Sequence, residues 1–125
     1  EKNRHMVLDV CKQGSRLMAM RTKHGVLVSI TASTIRVVDD RHAEEVHSFE
    51  VTRTKEGLEV YESVSCGCEG GCYVCEGRGM GEQSYTMKDC EECLAWARAK
   101  VARMCGAGWT CHTMCNGFRL TELAS

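Results

Sequence analysis

The sequence predicts an α+β chain, a small antiparallel β-sheet followed by a cysteine-rich, cross-linked module with one amphipathic helix. Three observations predict it. Residues 6–64 alternate apolar and polar side chains between turn-forming clusters, which is the period of half-buried strands. Residues 89–104 instead repeat apolar side chains at helical spacing. Cysteine use also changes abruptly near residue 65: Cys11 alone precedes it, and the other nine of ten cysteines fall within Cys66–Cys115. The chain therefore divides into a β region, 1–65, and a cysteine-rich region, 66–125.

The strands follow from the alternation. Val26, Val28 and Ile30 alternate with Leu27 and Ser29, and Ile35 and Val37 with Arg36 and Val38. His47, Phe49 and Val51 alternate with Ser48 and Glu50, while Leu58, Val60 and Val64 share a face. Turn formers interrupt them at Gln13-Gly14-Ser15, His24-Gly25, Asp39-Asp40-Arg41-His42 and Glu56-Gly57. Strands are expected near 6–11, 16–22, 25–31, 34–39, 45–53 and 57–64, and their short spacing predicts an antiparallel meander. Asp39-Asp40 and Glu44-Glu45 read as turn or element-start chemistry, not as a catalytic or calcium site. The Gly25–Val64 pattern resembles the strands of phosphotyrosine-binding and pleckstrin-like domains, and that resemblance implies peptide or phosphoinositide binding.

The helix is expected over 89–104. Asp89 suits the N-cap, with Glu92 completing a capping box. Cys90, Cys93, Leu94, Ala97, Val101 and Met104 form one stripe, and Gly106 and Gly108 offer a left-handed end. Glu91 and Glu92 lie at the positive end of the helix dipole, Arg98, Lys100 and Arg103 toward the negative end. These cations are read as a solvated face, with phosphate contact the sharper alternative. Trp96 lies off the stripe, so it either packs on the sheet or meets a partner.

The main chemical signal is Cys72-Tyr-Val-Cys75 and, fourteen residues on, Cys90-Glu-Glu-Cys93. Each CxxC pair grips a tetrahedral Zn²⁺ through two sulfurs, and the second starts a helix whose field favours thiolate. Gly77 and Gly79 follow the first pair, where a metal knuckle must turn tightly. A knuckle followed by a CxxC at a helix start resembles a treble-clef zinc finger. Cys72-Tyr-Val-Cys75-Glu-Gly77-Arg-Gly79 is also similar to the CxxCxGxG unit of DnaJ-type zinc domains, which normally recurs and here occurs once. Both resemblances imply structural zinc. Cys66 and Cys68, with two of Cys105, Cys111, Cys115 or His112, are candidates for a second metal site. The competing account is a disulfide scaffold, since ten cysteines is an even number and Cys11 would tie the strands to the second region. A redox role for Cys90-Glu-Glu-Cys93 lacks the preceding βαβ pattern it would need.

Composition narrows the function. Only 6% of residues are aromatic, so the apolar core is thin and cross-links are expected to supplement it. A net charge of −1 provides no general attraction for nucleic acid or an anionic membrane, and no apolar run approaches the ~20 residues of a membrane-spanning helix. His5, His24, His42 and His47 read as surface histidines. No Ser-His-Asp set, phosphate-cradling glycine loop or paired catalytic carboxylates are recognisable. Glu1 in place of methionine fits either a removed leader or a native start at Met6. The expectation is a non-catalytic, zinc-stabilised binding protein with a protein partner; nucleic acid is less favoured. The alternative is a secreted, disulfide-rich effector or toxin-like protein acting on a host or competitor. Zinc would place it inside the cell, disulfides outside.

Overall fold

The computed structural model describes residues 4–9, 18–42, 45–66, 80–114 and 116–124. Among the described residues nine strands and one helix follow in order: β1 (Arg4–Asp9), β2 (Met18–Arg21), β3 (Leu27–Ile30), β4 (Thr34–His42), β5 (Glu45–Thr54), β6 (Gly57–Cys66), β7 (Met80–Met87), α1 (Glu91–Cys105), β8 (Trp109–Met114) and β9 (Gly117–Ala124). The α+β class with an antiparallel sheet is as the sequence predicts.

Strands β2 to β7 form one six-stranded meander in chain order. Directly opposed residues share a face, so the registers define the two sides of this sheet. Val28, Val37 and Phe49 form one row, continued by Glu62 and Gln83. Ile30, Ile35, Val51, Val60 and Tyr85 form the next. Both rows lie on the inner face, whose aliphatic members are buried. The outer face carries Arg36, Glu50, Tyr61 and Ser84 in one row and Thr34, Thr52, Glu59 and Thr86 in another. Polar residues thus line the open side, the ordinary alternation of a sheet covered once.

The cover comes from the second half of the chain. Leu94, Ala97, Val101 and Cys105 form the buried stripe of α1, and with Trp109, Cys111, Phe118 and Leu120 they join the inner-face residues in a single core. The helix packs against β8 and β4. Strand β1 leaves the expected meander. It pairs antiparallel with β9, which in turn pairs with β8, so the first and last strands close a separate three-stranded sheet.

Strand β7 extends the sheet begun by β2–β6, and one core takes residues from both sides of residue 65. Two expectations are corrected. The helix is capped by Cys90, not Asp89, whose carboxylate instead pairs with Arg53 at 3.3 Å. Strands β7, β8 and β9 lie within the cysteine-rich region, where no strand was expected. At the other helix end Gly106 has φ +105°, and its N–H donates to the Ala102 carbonyl, the left-handed exit its position predicts.

Candidate functional site

Two groupings of chemically active side chains stand out among the described residues. The first is the second CxxC pair. Cys90 sits in extended backbone immediately before α1, and Cys93 lies one turn into it, so the helix start brings both thiols to one place. Cys90 makes no geometric cap hydrogen bond, yet its pKa is lowered, first by the backbone N–H of Cys93 and then by the Cys93 thiol, which donates toward it. Cys93 is raised in turn because it supplies that proton. Two neighbouring thiols at a helix start, one of them lowered, suit a divalent metal, since ligation displaces both protons.

The remaining candidates separate from this pair. Cys105 and Cys111 are buried in the apolar core, and burial pushes each thiol up to about 12. Both pack among the apolar residues of the core. Cys105 also closes the far end of the fifteen-residue helix, about 20 Å from Cys90 at 1.5 Å per residue. One ion cannot take ligands from both ends. Cys111 and His112 alternate along β8, the first buried and the second exposed, so they point to opposite faces and cannot share a metal either. Cys66 ends β6, but its side chain lies outside the described residues, as do Cys68, Cys72, Cys75 and Cys115. Among the described residues no three of His, Cys, Asp and Glu converge as a metal cluster. Between the two CxxC pairs stands β7, which carries the chain about 23 Å from Met80 to Met87 at the usual strand rise.

The second grouping was not read from the sequence. Glu62 lies on the inner face between Val60 and Val64, a carboxylate in an apolar row. The residue is 7% exposed. Its Oε2 accepts from His47 Nε2 and from Lys100 Nζ, each at 2.7 Å. Burial pushes the Glu62 carboxyl up, but the hydrogen bonds from Lys100 and His47 outweigh it and hold the group below 4.5. Lys100 Nζ also stands 5.1 Å from the Phe49 ring centroid, and Trp96 meets Phe49 edge-on with centroids 5.7 Å apart. Tyr85 continues the neighbouring row, its hydroxyl raised first by burial and then by the Glu62 charge. The available signal was parity: position 62 falls on the same face as Leu58, Val60 and Val64, so a carboxylate there required a cation from another element.

Arg98 on the helix is engaged as well. It pairs with Glu91 and donates to Thr113 Oγ1. Asp40 pairs with Arg21 and Asp39 with Arg41, and all three of Asp39, Asp40 and Arg41 lie within β4, which runs on to His42 through a register irregularity where a turn was expected. No protein-family model, curated protein or solved structure matches the chain. No helix among the described residues is long and apolar enough to cross a membrane.

Proposed function

We propose that the chain is a non-catalytic binding protein whose cysteines hold structural zinc and whose partner is another protein. The observation that carries this reading is the Cys90–Cys93 pair: two neighbouring thiols at a helix start, one lowered and one donating to it. In the proposed site Cys72 and Cys75 complete the tetrahedron. The ionic groups that meet inside the fold neutralise one another, Glu62 with Lys100 and His47, which favours a scaffolding role over catalysis. Arg98 and Lys100 are likewise held by carboxylates, which favours a protein surface over a phosphate backbone as partner.

Elemental analysis and denatured thiol titration of the purified protein test the metal. Bound zinc with about ten free thiols is expected, and C90S/C93S should lose at least one zinc per chain. Protein without metal and with few free thiols would overturn the reading and favour the secreted, disulfide-rich effector. Zinc retained in full by C90S/C93S would overturn the proposed ligand set.

A further inference from the structure

Strand β7 ends the six-stranded sheet, so one side of its backbone presents N–H and C=O groups with no neighbouring strand among the described residues. Such an edge is usually blunted by proline, a bulge or inward-pointing charge. Here none is present. The register with β6 runs unbroken from Leu58↔Met87 to Ser65↔Met80, and residues 81–86 are all exposed. Of the two exposed large hydrophobic side chains among the described residues, Tyr85 lies on this strand, and Trp96 packs from the helix against Phe49 of β5, two strands away. Each is 37% exposed.

We infer that the occupant of this edge is a second copy of the same chain, added antiparallel through β7 to make one continuous twelve-stranded sheet. A two-fold interface pairs the strand with itself, so its own sequence must be complementary. About a two-fold axis at Tyr85, Glu82 falls opposite Lys88 of the partner copy, Ser84 opposite Thr86, and Gln83 opposite Met87. Axes at Gln83, Ser84 or Thr86 put no opposite charges together. The faces agree too. Glu82, Ser84 and Thr86 alternate onto the outer face and Lys88 directly follows the strand, so that two ion pairs and two hydroxyl pairs form there. Tyr85 meets its own copy on the inner face. The interface thereby covers the Tyr85 rings and supplies hydrogen bonds to the open backbone, two needs met by one contact. It is argued without the metal reading, since Glu82 and Tyr85 lie on β7 and Lys88 directly follows it.

Sedimentation equilibrium across about a hundredfold concentration range tests it, because self-association shifts by mass action. Covalent dimers are excluded by denaturing electrophoresis without reductant. The 13.9 kDa chain should reach twice its mass. Glu82→Lys and Lys88→Glu should each weaken the dimer about tenfold by turning both cross-strand pairs repulsive. The double variant E82K/K88E should restore wild-type association. Glu82 also accepts from the Tyr61 hydroxyl at 2.9 Å, so Lys88→Glu is the cleaner single change. A chain that sediments as a monomer throughout, or a dimer indifferent to the single reversals or unrestored by the double, overturns the inference.

Discussion

Glu62 concentrates the electrostatics of the interior in one atom, since both Lys100 Nζ and His47 Nε2 meet its Oε2. The Lys100 and Glu62 side chains are only 18% and 9% exposed, so removing one partner strands the other in a poorly solvated place. Glu62→Ala should therefore lower stability by about 3 kcal/mol in urea unfolding, whereas Glu62→Leu with Lys100→Met should cost less because neither charge is left buried. The pH dependence has a definite sign. With the folded pKa below 4.5, the stabilisation by Glu62 is complete above that value and is lost as pH falls through the folded pKa. Urea midpoints of the wild type should drop over that acid range, and those of E62L/K100M should drop less. Equal slopes for the two proteins would mean that Glu62 does not carry the acid sensitivity. The sequence signal for this residue was its parity on β6, but its partners came from β5 and α1, which no local pattern joins to it.

At the scale of elements, the β5–β6 hairpin depends on Gly57. Its φ of +136° disfavours any side chain, and a Cβ there would stand 2.4 Å from the Met87 carbonyl oxygen on β7. The position combines backbone strain with a close approach of the neighbouring strand. Gly57→Ala should cost roughly 2–4 kcal/mol in urea unfolding; a loss under 1 kcal/mol would show that β7 yields easily. Most strands of the β region were legible in the sequence because each alternates on its own: Val26, Val28 and Ile30 are all fully buried as their period requires. The helix was legible for the same reason, its stripe burying Leu94, Ala97 and Val101. Strand β7 was not, because Met80–Met87 contains few aliphatic side chains and acquires its conformation from hydrogen bonds to β6. Asp89 misled for a related reason. It has the chemistry of a cap, but Arg53 from β5 claims its carboxylate.

For the whole molecule the consequence is cooperativity. The inner face of the sheet is covered by α1, β8 and β9, and β1 is held by β9. A fragment of residues 1–65 would expose Val28, Ile35, Phe49, Val51 and Val60 to water with nothing to replace the cover. It should lack a cooperative thermal transition by circular dichroism, while the full chain melts as one unit. A cooperative melt for the fragment would show that the sheet stands without its second half. The pairing of β1 with β9 makes the same point, as it joins Leu8 to Leu120 across most of the chain.

The sequence by itself determined the class of the fold, most strands of the β region, the helix with its buried stripe, and the CxxC pair at the helix start. Each of these is encoded in a repeat or spacing of a few residues. Tertiary structure alone decided that β7 shares the sheet, that Cys105 and Cys111 belong to the core, and that Glu62 meets His47 and Lys100. These depend on which face of one element lies against which face of another. That is settled by burying a common apolar surface, and local sequence periods carry no record of the choice.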